Sequence, residues 1–178
     1  MDNLTGFVSV AILLHAGAGF AQARPKLKVG DLAPTFRVGK WYKGSPFAGL
    51  QKGKVYVVDF WATRCPPCVE AIPHISALAK RFHGKVNFTG VSVQKWPDGT
   101  QNDTRKLVEA FLNTSTGKAM KYNVAVDTID GFMVKRWFDA AGFDAIPCAF
   151  VVGKTGRIAW MGDPNNLDSI LASLTRQP

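Results

Sequence analysis

The sequence predicts an α/β fold in which helices flank a central mixed β-sheet. Residues 55–61 form an apolar run with one carboxylate, Asp59, which is typical of a strand that is covered on both faces. A helical pattern follows, and residues 86–93, which are rich in β-branched residues, then form a second strand pattern. These three elements predict a β-α-β unit with a right-handed crossover.

The chain begins with a segment that predicts export. Residues 4–20 are apolar and rich in glycine, and Ala21-Gln22-Ala23 forms a small-x-small cleavage signal before Arg24. We therefore expect residues 1–23 to be a signal peptide, residues 24–178 to form one domain, and the protein to be periplasmic or secreted. Because only the amino terminus supplies positive charge before this segment, an uncleaved membrane anchor remains the alternative.

The chain is strongly basic, with a formal net charge of +9. Such a surface attracts acidic partners or anionic lipid, or is simply a solvated face. No run of Lys and Arg with interleaved aromatic residues is present in the sequence, so we expect no nucleic-acid partner. Membrane contact is expected only through an uncleaved N-terminal anchor.

Residues 25–53 are rich in turn signals and predict an N-terminal β-hairpin. The turn-forming residues near Gly30 and Gly44 bound hairpin strands around Val38 and Trp41. The hairpin should precede the first core strand.

The helix after that strand carries a Cys-x-x-Cys pair. Proline suits the first turn of a helix, because it has no N–H to lose and its φ is near the helical value, so Pro66 places Cys65 at the N-terminal end. Gly84 is the expected C-terminal stop. The apolar positions at helical spacing are Ile72, Ile75, Leu78, Ala79 and Phe82.

Residues 95–143 predict a helix, a short strand and another helix. Asp103 or Thr104 is expected to cap the first helix, residues 122–126 to form the strand, and residues 133–141 to form the second helix. This segment shows no chemistry of its own.

The C-terminal part predicts two strands and a final helix. Residues 148–152 and 157–160 are joined by a turn at Lys154-Thr155-Gly156, and a helix begins around Asp163-Pro164. An antiparallel pair added to the β-α-β unit makes the sheet mixed.

Cys65 and Cys68 form the predicted redox site. The partial positive charge at the helix start and the neighbouring Arg64 should lower the pKa of Cys65, and the thiolate is the species that attacks a disulfide. Cys65 is the candidate nucleophile, and Cys68, one helical turn later, can resolve the mixed disulfide. The active group is the disulfide itself, so we expect no cofactor and no metal.

Residues 58–62, followed by this pair, resemble the active-site signature of the thioredoxin superfamily. Phe60-Trp61-Ala62-Thr63 and Pro73 are similar to the exported TlpA/ResA-like branch, of the AhpC/TSA-redoxin type. The resemblance implies a thioredoxin fold with an N-terminal β-hairpin and an inserted strand-helix segment. The opening pattern of that branch is also matched, by Gly30, Leu32, Ala33-Pro34 and Phe36. Two positions depart from it, since Arg64 stands where Trp is common and Ala71 stands where ResA-like proteins place a glutamate.

The resemblance also implies roles for residues outside the pair. Asp59 matches the buried aspartate of thioredoxin. Burial raises the pKa of a carboxyl, which could then take the proton from Cys68 near neutral pH. The alternative is a strand aspartate without catalytic work. Ile146-Pro147 matches the loop in which the proline is cis and the backbone pairs with bound substrate. Substrate contacts are expected at Trp61, Arg64, Pro66, Ile146 and Pro147.

A third cysteine, Cys148, follows the proline loop. One interpretation is a small buried hydrophobic residue. The other is a third thiol that traps Cys68 or a substrate and alters the redox cycle.

The resemblance favours a reductant of protein disulfides that a membrane thiol electron donor keeps reduced. Cytochrome c or copper-site assembly proteins are the implied substrates. A disulfide isomerase or oxidant remains open within the class, and a thiol metal-binding or docking module outside it. A metal carrier needs a second ligand pair. Covalent haem attachment needs His in place of Val69, and a peroxiredoxin needs Thr in place of Ala62.

Overall fold

The computed structural model describes residues 26–93 and 101–176, without the side chains of residues 101–103. The predicted signal peptide, residues 1–23, lies outside the described residues. The strands are β1 (Lys40–Lys43), β2 (Val55–Trp61), β3 (Val86–Ser92), β4 (Asn123–Val126), β5 (Cys148–Val152) and β6 (Ile158–Gly162). The helices are α1 (Pro66–Arg81), α2 (Gln101–Leu112), α3 (Ser115–Ala119), α4 (Asp139–Ala141) and α5 (Leu167–Arg176). A π-helical turn at Val134–Phe138 precedes α4, and a 3₁₀ turn at Pro164–Asn166 precedes α5.

The strands form one mixed sheet in the order β1-β4-β3-β2-β5-β6. β2, β3 and β4 are parallel, and α1 is the crossover between the first two. β5 runs antiparallel to β2, and β6 antiparallel to β5. The predicted α/β class and the mixed sheet are therefore confirmed. Because β2 and β5 are antiparallel neighbours, the loop after β2 and the loop before β5 lie next to each other at the same end of these strands.

All seven residues of β2 are buried, as the continuous apolar run predicted. Side chains alternate between the two faces of a strand. Val57 and Trp61 belong to the core beneath α1 and α5. Tyr56 and Phe60 belong to a second core, beneath the helical segment that ends with α4. Because Asp59 lies between Val57 and Trp61 in this alternation, its carboxyl faces α1.

The prediction of an N-terminal β-hairpin was wrong. β1 instead adds antiparallel to the sheet edge at β4, with Trp41 opposite Ala125. Leu32 forms an isolated bridge with Arg157. Turn signals indicate local pairing, but the unpaired backbone groups of a sheet edge are an equally good partner. Gly39 makes this pairing possible, because its N–H donates to Val126 O at 2.8 Å where no side chain intervenes.

The inserted segment supplies α2, α3 and β4. α2 begins at Gln101, before the predicted cap residues Asp103 and Thr104, and α3 was not predicted. The predicted helix at residues 133–141 is present, with a π-helical first turn. Buried Asp127 caps it, because its carboxylate accepts the backbone N–H groups of Met133 at 2.8 Å and Val134 at 3.0 Å.

Candidate active site

The cysteine pair lies beside the ends of two central strands, where β2 ends and β5 begins. Cys65 is the N-cap of α1 and has extended backbone geometry, with prolines at the first helical positions. The backbone N–H of Cys68 points at Cys65 Sγ, 3.3 Å away. Such a donor, together with the helix N-terminus, favours a thiolate at Cys65 once the pair is reduced.

Cys65 and Cys68 form a disulfide, with their Cα atoms 5.2 Å apart. The two sulfurs differ in access, because Cys65 is partly exposed and Cys68 is 2% exposed. A protein substrate can therefore reach only the first cysteine of the pair. Cys68 is confined to exchange within the molecule.

The loop before β5 faces Cys65. The peptide bond between Ile146 and Pro147 is cis, as the resemblance implied. The carbonyl oxygen of Ile146 lies 3.7 Å from Cys65 Sγ, and both residues of the loop are partly exposed. An extended chain that paired with this backbone would pass directly beside the reactive sulfur.

Asp59 lies beneath α1 in the middle of the sheet and is 3% exposed. Burial, and secondarily the negative charge of Asp163, raises the pKa of its carboxyl to about 7. Its neighbours on the adjacent strands are Gly90 and Ala149, which are too small to offer a polar partner. A carboxyl with this pKa is able to accept a proton near neutral pH.

The residues expected to contact substrate do not all lie on the surface. Arg64 and Pro66 are exposed beside Cys65. Trp61 is 1% exposed, and its ring packs on Phe111 with the centroids 5.3 Å apart. The expectation that Trp61 contacts substrate was therefore wrong. The reason is that α2 of the inserted segment covers this position.

Cys148 is a free, buried cysteine on the other face of the sheet. It pairs with Phe60 across β2 and β5 and packs in the core with Phe60, whereas Cys68 packs in the core beneath α1. Burial, and secondarily the charge of Asp59, raises the pKa of the Cys148 thiol. The sheet thus separates this thiol from Cys68, and burial holds it in its unreactive form.

Sequence reasoning missed three polar residues around Asp59. Ser92 and Tyr122 are buried on the α1 side of the sheet, and Asp163 is an exposed residue directly after β6. Each lies in or beside a stretch whose sequence pattern predicts a strand or turn and gives no sign of a functional role. Only the order of the strands brings them near Asp59.

Residues 28–174 match the Redoxin family. The chain is similar to Protein FixW of Rhizobium leguminosarum, with 31% identity over 149 residues that cover 82% of this chain and 65% of FixW. The chain thus spans less than two thirds of the length of FixW. Thiol-disulfide oxidoreductase ResA of Bacillus thuringiensis is 25% identical over 159 residues, which cover 85% of this chain and 83% of ResA.

A solved structure extends this likeness to the fold. The crystal structure of a thiol:disulfide interchange protein of the thioredoxin family from Chlorobium tepidum has a TM-score of 0.61 and 26% identity. The match covers 87% of this chain and 99% of the other. Among the described residues, no helix is long and apolar enough to cross a membrane.

Proposed function

Because the chain belongs to the Redoxin family and is a TlpA/ResA-like thiol-disulfide oxidoreductase of the thioredoxin superfamily, we propose that it is an exported reductant of protein disulfides. The observation that carries the proposal is the disulfide itself. A partly exposed Cys65 is joined to a buried Cys68 at the start of α1, and the carbonyl of Ile146 faces the exposed sulfur. This arrangement admits a polypeptide to one sulfur only.

In the first step, the thiolate of Cys65 attacks one sulfur of a substrate disulfide. A mixed disulfide forms and the other substrate sulfur leaves as a thiolate. The backbone at Ile146 and Pro147 holds the substrate strand, while Arg64 and Pro66 line the approach. The N–H of Cys68 stabilises the attacking thiolate before the bond forms.

In the second step, Cys68 gives its proton to the carboxylate of Asp59 and attacks Cys65 Sγ. The mixed disulfide breaks, the Cys65–Cys68 disulfide forms, and the second substrate sulfur leaves as a thiolate. The two cysteines have then lost two electrons and the substrate has gained them. Asp59 suits this role because its pKa of about 7 lets it accept a proton near neutral pH.

Turnover in this direction needs a donor that reduces the pair again. We assign this role to a membrane thiol electron donor, which would attack the exposed Cys65 by the same exchange. The proposed substrates are the disulfide that the cysteine thiols of an apocytochrome c form on oxidation, or the disulfide of a copper-site assembly protein. Residues 1–23 would deliver the protein to the periplasm or the exterior. The prolines after Cys65 remove two N–H donors that would stabilise its thiolate, which disfavours strong oxidising power.

The reduction potential of the Cys65–Cys68 pair tests the direction. The purified protein is equilibrated in glutathione or dithiothreitol buffers and its thiols are counted by alkylation and mass. A value near the thioredoxin end, about −270 mV, supports a reductant, whereas about −120 mV makes the protein an oxidant or isomerase. If no disulfide forms over this range, the redox function fails and thiol metal binding or docking replaces it.

The role of Asp59 needs its own experiment. Asp59→Asn removes the proton acceptor and keeps the side-chain volume. Resolution of a preformed mixed disulfide should slow by about 100-fold near neutral pH, the usual contribution of a positioned base. Asp144→Asn changes an exposed aspartate and serves as the control. An unchanged resolution rate in Asp59→Asn would show that Asp59 has no catalytic work.

A further inference from the structure

Four polar atoms of residues in or directly beside β2, β3 and β4, on the α1 side of the sheet, are buried and have no hydrogen-bond partner among the described residues. They are Asp59 Oδ1, Trp61 Nε1, Ser92 Oγ and Tyr122 Oη. The residues that carry them are at most 6% exposed. A buried polar atom without a partner lowers stability, so a cluster of four calls for a physical explanation.

The register of β2 and β3 places three of these residues close to one another in the sheet. Asp59 is paired with Gly90, and Trp61 with Ser92. A Cβ on Gly90 would lie 3.0 Å from Trp61 Nε1 and 3.1 Å from Tyr122 Cε2. The indole N–H and the phenol ring therefore converge above Gly90, which is the residue next to Asp59 in the sheet.

The chemistry of the four groups matches the hydrogen-bonding capacity of one water molecule. Water accepts two hydrogen bonds and donates two, and buried waters typically bind two to four polar groups. The indole of Trp61 only donates, a carboxylate only accepts, and the hydroxyls of Ser92 and Tyr122 do either. Residues from β2 and β3, together with the residue directly before β4, offer a complete set of partners.

We propose that Asp59, Trp61, Ser92 and Tyr122 form an internal binding site for one water molecule. The water accepts from Trp61 Nε1–H and Tyr122 Oη–H, and it donates to Asp59 Oδ1 and Ser92 Oγ. Trp61, Ser92 and Tyr122 are then positioning residues that act on Asp59 through the water. Their functional importance rests on the proposed role of Asp59 in the exchange, but the water site itself does not.

The site should affect the protonation of Asp59. A hydrogen bond donated to a carboxylate favours its charged form and lowers its pKa. Burial beneath α1 and, secondarily, the negative charge of Asp163 after β6 have the opposite effect and raise the Asp59 pKa. On the α1 side of the sheet, Cys68 is held in the disulfide and does not titrate in the oxidised protein. The titratable groups that interact with Asp59 are Tyr122, directly before β4, and Cys148, on the opposite face of the sheet. Loss of the water should therefore leave the raising effects unopposed.

The first test detects the water directly. Nuclear magnetic resonance on the oxidised protein measures cross-relaxation between water and the indole N–H of Trp61, assigned with Trp61→Phe. We expect a cross-peak from a long-lived bound water in the wild type and its loss in Tyr122→Phe. Absence of the cross-peak in the wild type would overturn the water site.

The second test follows the carboxyl carbon of Asp59 in a pH titration of the oxidised protein. Tyr122→Phe removes a donor that holds the water and should raise the Asp59 pKa by roughly half to one pH unit, the size expected for one hydrogen bond. Ser92→Ala removes an acceptor of the water, so it should change the Asp59 pKa less than Tyr122→Phe does. The control is Tyr56→Phe, which removes a buried hydroxyl from β2 on the opposite face. It should leave the titration unchanged.

The two proposals fail in different ways. An unchanged Asp59 titration in Tyr122→Phe would overturn the positioning role of these residues. Neither readout requires turnover, so that result would leave the redox function standing. Conversely, normal resolution in Asp59→Asn removes the catalytic role of Asp59 while the cross-peak would still report the bound water.

Discussion

The sulfur of Cys65 lies 3.7 Å from the carbonyl oxygen of Ile146, a residue 81 positions further along the chain. The antiparallel pairing of β2 with β5 produces this contact, because Phe60 is paired with Cys148 at the end of the two strands. The reactive sulfur and the backbone proposed to hold substrate thus lie in two short segments that flank the ends of paired strands. The pairing of β2 with β5 brings these two segments together.

The difference in access between the two cysteines predicts the outcome of trapping. Cys68→Ser, reduced and mixed with a protein disulfide, should accumulate a mixed disulfide through Cys65, whereas Cys65→Ser should form none. Mass spectrometry of the non-reduced adduct identifies the linked peptide. Cys148→Ala is the control and should turn over like the wild type, because Cys148 is buried on the opposite face. An adduct through Cys68 or Cys148 would contradict the assignment of the nucleophile.

Burial of Asp59 predicts a pH-dependent loss of stability. Its pKa is about 7 in the folded protein, against an ordinary value of 3.8. Between these pH values the folded state binds the proton and the unfolded state has lost it, so stability falls as pH rises from about 4 to about 7. Asp59→Asn should therefore gain about 4 kcal/mol over the wild type between pH 4 and pH 8.

Urea unfolding of the two oxidised proteins at several pH values measures this gain. The exposed Asp144→Asn variant should follow the wild type at every pH. If the difference in stability between Asp59→Asn and the wild type stays constant from pH 4 to pH 8, the pKa of the Asp59 carboxyl is not raised by folding.

The charge of Asp163 predicts a remote effect on Asp59. Asp163 precedes the 3₁₀ turn and accepts the N–H of Asn165 at 2.9 Å, an N-cap role that asparagine also fills. Asp163→Asn removes the charge, so the Asp59 pKa should fall towards its ordinary value. A carboxyl titration checks this shift. In Asp168→Asn, which alters an exposed carboxylate on α5, the titration should not move.

The close approach of β1 to β4 predicts a strong effect of a single methyl group. A Cβ on Gly39 would lie 2.6 Å from the backbone oxygen of Asp127, which cannot move without disturbing the end of β4. Gly39→Ala should lower the free energy of unfolding by about 1–3 kcal/mol, as overpacking does. Gly49→Ala is the matched control, since nothing lies within 4 Å of its added Cβ. Equal stability of the two variants would contradict the edge pairing.

Local patterns in the sequence determined the β-α-β unit, the cysteines at the start of α1 and the burial of Asp59. Apolar periodicity, proline geometry and helix capping each depend on a few neighbouring residues, so they can be recognised in the sequence alone. The same local patterns predicted the C-terminal strands and α5. The cis proline was inferred from the family resemblance, because spacing alone does not distinguish the isomers.

Only the tertiary structure decided the partner of β1, the burial of Trp61, the face on which Cys148 lies and the polar cluster around Asp59. Each depends on which strand or helix lies next to which, and short-range signals do not specify that order. A strand edge accepts any chain with free backbone groups, and a polar residue gains its partners only where distant segments meet. The sequence therefore indicates the chemistry of the cysteine pair, while the sheet order determines the groups that surround it.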